Sequence, residues 1–194
     1  MAVTSDTRRP GRGARERILA AAARLFATRG IAATGMEQVA AQAPVSKRTL
    51  YAHFRTRDEL AIAHLEELIA SGGTMEGALN RTDLDPRERI LLLFDQPDPG
   101  DLPVRGCPFL DAAAEFPDPE HPVHAYVREQ KLRMVRTVTD LVTELGCRAP
   151  EELAEQLVTL ADGAAGRAMV LNRVDYGRHG RAAADALISQ ALKA

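Results

Sequence analysis

The chain has 194 residues, 45% of them hydrophobic and 27% charged, which is enough to bury a sizeable core in one or two domains. Its formal net charge is only −2, but residues 1 to 57 hold 11 Lys/Arg against 3 Asp/Glu, a net of +8; subtraction from the totals of 25 and 27 leaves 14 against 24, or −10, for residues 58 to 194. No run of 18 apolar residues occurs, no apolar segment follows the charged N-terminus, and Cys107 and Cys147 stand outside any CxxC or Cys/His cluster. These features exclude a transmembrane helix, a secretory signal and a structural zinc, and they fit a reducing cytosol.

Abundant Ala and Leu, with no strict apolar alternation, predict an all-α protein. A Gly/Pro-containing basic arm over residues 1 to 14 carries Arg8, Arg9 and Arg12, with Arg15 and Arg17 at its end; it is expected to order only on DNA and to reach phosphates or the minor groove, and a solvated disordered tail is the equal alternative. Residues 15 to 29 form a helix with Ile18, Ala22, Leu25 and Phe26 on one face, stopped by Gly30. A capping-box pattern, Thr34-x-x-Glu37, predicts the start of the next helix, along which Met36, Val39, Ala40 and Ala43 make an apolar stripe. Pro44 breaks that pattern and Ser46 is placed to cap a further helix, with Leu50 and Phe54 inward and Lys47, Arg48, Thr49, Tyr51 and His53 outward. Two short helices joined by a turn, the second with an exposed basic N-terminal turn, are the pattern of a helix-turn-helix. A net positive charge confined to that end adds the sequence-independent attraction to phosphate that DNA binding needs.

The run Gly30, Thr34-x-Met36, Val39-Ala40, Val45-Ser46-Lys47-Arg48-Thr49-Leu50-Tyr51-x-His53-Phe54 resembles the N-terminal domain of the TetR family of bacterial transcriptional regulators, densely over residues 15 to 65. The family usually carries glycine in the turn where this chain has Pro44, and proline is not expected to take a positive φ, so a shifted turn or an earlier helix end is predicted. In the second motif helix, Lys47, Arg48 and Thr49, after the cap Ser46, are expected on base edges of double-stranded operator DNA. Thr34, Tyr51, His53 and Arg57 are expected on phosphates. Arg57 follows the cap Thr56 of a fourth helix, where a cation opposes the helix dipole; Leu60, His64, Leu65, Leu68 and Ile69 recur along that helix until Ser71-Gly72-Gly73 weakens it. The resemblance implies that this helix links residues 15 to 57, which bind DNA, to residues 58 to 194, which bind a ligand and dimerise, and that its tilt carries the signal.

The remainder reads as a helical bundle. Pro86 starts RERILLLF and a Pro/Asp-rich loop follows. Cys107-Pro108 opens PFLDAAAEF, a long helix spans about Pro122 to Leu145, another begins at Pro150, and residues 180 to 193 make the last. The stretch RGCPFLDAAAEFPDPEHP also resembles one large subgroup of TetR-family ligand domains. Gly163 and Gly166, with Ala161, Ala164, Ala165 and Ala168, form a small-residue face for tight helix packing. The resemblance places a homodimer interface on the last two helices, and an intrachain contact is the competing reading.

An apolar cavity with few polar groups is expected to receive an unidentified small-molecule effector, with Phe94, Phe109, Asp111, Glu115, Tyr126, Gln130, Asp162 and Met169 as its lining. Cys107, at a helix N-terminus beside Arg105, is a candidate redox or electrophile sensor if exposed, and an inert packing residue if buried. His121 and His124 make at most two corners of a metal site, with Pro122 between them and no third ligand in reach. No GxSxG, phosphate loop or carboxylate cluster at metal spacing occurs, so neither catalysis nor a cofactor is expected. The expected function is a cytoplasmic, ligand-released homodimeric regulator, most readily a repressor. Its alternatives are a thiol-based sensor acting through Cys107 and a cytosolic all-α enzyme.

Overall fold

The computed structural model describes residues 13–72, 74–95, 100 and 103–193. Among them are α-helices and two short 3-10 turns but no strand. The basic arm lies outside the described residues, apart from Gly13 and Ala14; Arg15 and Arg17, assigned to its end, belong to the first helix. Backbone contacts divide the chain into two compact units after His64, rather than after residue 57.

The first unit contains α1 (Ala14–Arg29), α2 (Met36–Gln42), α3 (Lys47–His53) and the start of α4 (Arg57–Ala70). Its core follows the predicted apolar stripes, Ile18, Ala22 and Phe26 from α1, Val39 and Ala40 from α2, Leu50 and Phe54 from the third helix and Leu60 from the fourth, to which Ala61 adds. Leu25 and Met36 are only half-buried. Gly30 ends α1 at φ 87°, its N–H on the Phe26 carbonyl at 2.9 Å. The guanidinium of Arg15 sits 5.7 Å over the Phe54 ring. Thr56 caps α4 by accepting the Glu59 N–H at 3.1 Å.

His64, on α4, meets Phe26 edge-on at 5.3 Å. Burial there lowers its pKa from 6.5 to about 4, because the charged ring would lose its hydration. The folded state therefore keeps His64 neutral. Above pH 6.5 neither folded nor unfolded chain protonates it; between 6.5 and 4 only the unfolded chain takes up the proton. Stability of this unit is expected to fall by about 3 kcal/mol as pH drops through that window. In His64→Leu the slope should be shallower, and identical melting curves for the two proteins from pH 7 to 4 would refute it.

The second unit holds the rest of α4, α5 (Met75–Leu79), α6 (Pro86–Leu91) with a 3-10 turn through Phe94, α7 (Pro108–Glu115), α8 (Pro122–Glu144), α9 (Pro150–Leu171) and α10 (Gly177–Lys193). The fourth helix thus ends at Ala70, with Gly72 at φ 68°, and the chain is helical again before Leu79. Met134, Val138, Leu141 and Val142 of α8 pack with Leu153, Leu157, Val158 and Ala161 of α9 and with Ile188 of the last helix. Side chains at i, i+4 and i+7 on each helix build this core, as the sequence spacing predicts.

Ala161, Ala164, Ala165 and Ala168 are buried inside this single chain, so the alanine half of the predicted small-residue face is an intrachain contact. Gly163 and Gly166 point elsewhere, since a Cβ on either would meet nothing within 4 Å. The close approaches belong instead to Gly106, Gly177 and Gly180. A Cβ on Gly106 would lie 2.7 Å from the Ala165 carbonyl oxygen, which seats the loop before α7 on α9.

Candidate nucleic-acid interface and effector cavity

The turn between α2 and α3 shows how Pro44 is accommodated. The helix ends at Gln42, Ala43 is its cap, and the Val45 N–H reaches the Ala40 carbonyl at 3.1 Å. That six-to-one bond is half of a Schellman motif. The other half would need an N–H at position 44, just before Val45, and proline has none. Pro44 is held at φ 23°, against the expectation that proline avoids a positive φ and far from the roughly −65° its ring prefers. Strain and a missing donor therefore coincide in one residue. Pro44→Gly relieves both, and after subtracting the extra entropy of an unfolded glycine it is expected to stabilise this unit by about 1 kcal/mol. A lower melting temperature for Pro44→Gly would show that the proline is unstrained.

Ser46 caps α3 as predicted, its Oγ accepting the Thr49 N–H at 3.0 Å and lying 2.8 Å from the Thr49 hydroxyl. With Leu50 buried, Lys47, Arg48, Tyr51 and His53 are exposed and Thr49 is half-buried. The Lys47 ammonium is paired with the Glu37 carboxylate of α2, and that hydrogen bond raises its pKa. Glu37 is a member of this surface that the motif reading missed, because its role depends on the crossing of two helices.

Two expected phosphate contacts are corrected. Thr34 is 1% exposed and its hydroxyl donates to the Gly30 carbonyl at 2.6 Å, so its side chain faces the core. The cap of α2 is Gly35 instead, whose N–H is accepted by the Gln38 side chain at 3.0 Å. Arg57 is half-buried and donates from Nη1 to the Ala32 carbonyl at 2.5 Å, tying the start of α4 to the loop before α2. A guanidinium spent on that carbonyl holds the motif in place, and its opposition to the helix dipole is offset by Asp58 and Glu59 in the same turn.

In the second unit the eight expected lining residues separate. Tyr126 and Gln130 of α8 do line a cavity, of about 540 Å³, together with Ile69, Ala70, Leu79, Arg133, Met134 and Thr137, and with Glu66 and Asn80. The other six do not line it. Phe94 is buried against Gly177 and Gly180 of α10, and Phe109 is buried in the core. Asp111 accepts from Arg105 at 2.7 Å, with Glu115 3.7 Å from the same guanidinium. Asp162 pairs with Lys131 at 2.5 Å, and Met169 is 43% exposed, its Cβ 3.3 Å from where a Gly106 Cβ would stand. Carboxylates taken for ligand contacts thus serve ion pairs: Asp111 and Glu115 tie α7 to the loop before it, and Asp162 ties α9 to α8. The sequence signal for the lining of this cavity was the row 126, 130, 133 and 137 on one helix, but which helices face it cannot be read from periodicity.

Cys107 is the N-cap of α7, and backbone N–H groups of Phe109 and Leu110 and the nearby Lys131 do favour its thiolate. Burial outweighs them: at 6% exposure the thiol pKa is pushed up, so of the two readings the sequence left open the burial favours the inert packing thiol. His121 Nδ1 accepts the Val123 N–H, and His124 Nδ1 lies 2.7 Å from the Phe116 carbonyl. Among the described residues no group of three metal-ligating side chains occurs. Nor is any described helix long and apolar enough to cross a membrane.

Residues 18–64, which contain this motif, match the family described as bacterial regulatory proteins of the tetR family. A TetR-family transcriptional regulator from Streptomyces coelicolor superposes with a TM-score of 0.80 at 28% identity, covering 93% of this chain and 97% of its own. A TetR-type regulator from Streptomyces avermitilis is 32% identical with a TM-score of 0.71, over 89% of this chain and 98% of its own. The HTH-type transcriptional activator FasR of Mycolicibacterium smegmatis is 39% identical over 80 residues, 39% of this chain but only 35% of that protein. A helix-turn-helix match at one end and a full-length fold match over both units together show that the chain belongs to the TetR family of transcriptional regulators, DNA-binding proteins and not enzymes.

Proposed function

We propose that the protein is a ligand-responsive repressor that binds a palindromic operator as a homodimer in the cytoplasm, at the nucleoid when DNA-bound, and is released by a small-molecule effector. The observation that carries this reading is the exposed basic first turn of α3, with Lys47 and Arg48 outward over a fully apolar inner face. One such helix reads a half-site; a two-fold dimer reads two, about one helical turn apart. Gly163 and Val170 of α9, with Ala182, Ala183 and Ala186 of α10, remain exposed in the single chain, which supports a place for a second copy on these two helices. The cavity beside α8 is of effector size.

The fourth helix gives the coupling a physical route. It contributes Leu60 and Ala61 to the core of the DNA-binding unit and Ile69 and Ala70 to the wall of the cavity. An effector that binds one setting of this helix better than another shifts the population away from the setting that DNA prefers. Repression needs only occupancy of promoter DNA, whereas activation, the activity named for the FasR relative, needs a further contact with the transcription machinery.

Footprinting of the full-length protein on the DNA flanking its own gene tests this reading, with sedimentation of the same sample. A protected palindrome, a dimer, and a reporter that rises when the gene is deleted are the expected results. Equal affinity for unrelated sequences, or a monomer on a single half-site, would overturn it.

A further inference from the structure

We propose that the cavity beside α8 recognises a neutral effector with an apolar body and a lactam- or imide-like edge, a ring N–H next to a C=O, and that Gln130 is the residue that reads this edge. The inference rests on the effector reading of the same cavity and adds the chemistry of its occupant.

Gln130 is 6% exposed and lines the cavity; no described residue hydrogen-bonds its carboxamide, whose nitrogen and oxygen are reached from the cavity space. A buried amide offers two N–H donors and a carbonyl acceptor, and such groups are almost always satisfied. A carboxamide that bonds to no described residue and opens on a cavity takes its partners from whatever occupies that cavity, water or an effector. Donor and acceptor lie side by side in a primary carboxamide, which is the complement of a cis-amide edge. Ile69, Leu79 and Met134 give the cavity apolar walls for the rest of the molecule. The charged lining residues are Glu66 and Arg133, one of each sign and both exposed to water, so the lining offers neither an anion nor a cation a buried counter-charge.

Calorimetric titration of the full-length protein with three probes of one chain length decides the matter: 5-hexylpyrrolidin-2-one, the corresponding lactone, and decanoate. The lactone lacks only the N–H. The lactam is expected to bind at least ~10-fold tighter than the lactone, with decanoate weakest, because leaving the Gln130 carbonyl unpaired costs about one hydrogen bond. In Gln130→Leu the lactam preference should collapse to about one while lactone binding is kept or improved. The wild-type ratio alone is decisive if that variant does not fold. Equal binding of lactam and lactone, or a preference for decanoate, overturns the assigned chemistry but leaves an apolar effector cavity standing. Failure of all three to bind, or binding unaffected by both Gln130→Leu and a blocking Ala70→Phe, overturns the cavity as effector site as well.

Discussion

Gly177→Ala is expected to be the most damaging single-methyl change in the second unit. A Cβ at this position would lie 1.9 Å from the Phe94 carbonyl oxygen, and a backbone carbonyl at the end of a 3-10 turn cannot swing aside as a side chain would. Gly177 itself is in the helical region, at φ −52°, so the glycine is required by space and not by conformation. One turn on, a Cβ at Gly180 would meet the Phe94 ring at 2.6 Å. The two glycines together make the groove in α10 that receives Phe94. Overpacking there should cost about 3 kcal/mol, the upper end for an added methyl in a packed core. Gly163→Ala supplies the contrast: its Cβ has open space in the single chain, so helix propensity should give up to about 1 kcal/mol in dilute protein. Chemical denaturation of the two variants reads both effects, and a Gly177→Ala protein as stable as wild type would show that Phe94 does not occupy that groove.

These glycines also show where the sequence was legible and where it was not. Helical spacing located the inward faces of α1, α3 and α8, because burial on a 3.6-residue period follows from the residues alone. Proline and serine at helix starts were equally readable: Pro108, Pro122 and Pro150 each stand at the first helical position and Ser46 caps α3. What could not be read was which element faces which. The same alanines on α9 satisfy an intrachain or an interchain contact, and only the position of the neighbouring helices assigns them to the first. The capping box at Thr34 matched in pattern, yet Gly35 takes the extended cap conformation, φ −82° and ψ 146°, and turns the threonine hydroxyl inward. Acidic residues near a loop looked like ligand contacts because their arginine and lysine partners, Arg105 for Asp111 and Lys131 for Asp162, are fixed only by the fold.

The recognition helix sets the second large expectation, and the surroundings of its two cations separate their roles. Arg48 is exposed and has no ion-pair partner among the described residues, so its bidentate guanidinium is available to a guanine edge at no internal cost. Lys47 is held by Glu37, and DNA must break that pair before using the ammonium. Arg48→Ala is therefore expected to lose about 1 to 3 kcal/mol on the cognate operator, to lose less on operators altered at the contacted base, and to leave the melting temperature unchanged. Glu37→Gln should act in the opposite sense, freeing Lys47 and removing a negative charge from the binding face; affinity should rise for all sequences alike, with a steeper salt dependence. Arg57→Ala should lower affinity for all sequences in proportion to lost folding stability, since its guanidinium anchors the Ala32 carbonyl. Gel-shift titrations of the three variants on cognate and scrambled DNA at two salt concentrations, beside thermal melts, distinguish these outcomes. If Arg48→Ala weakened binding equally on every sequence, the guanidinium would be a phosphate contact, and base reading would have to come from Thr49, Tyr51 or Lys47.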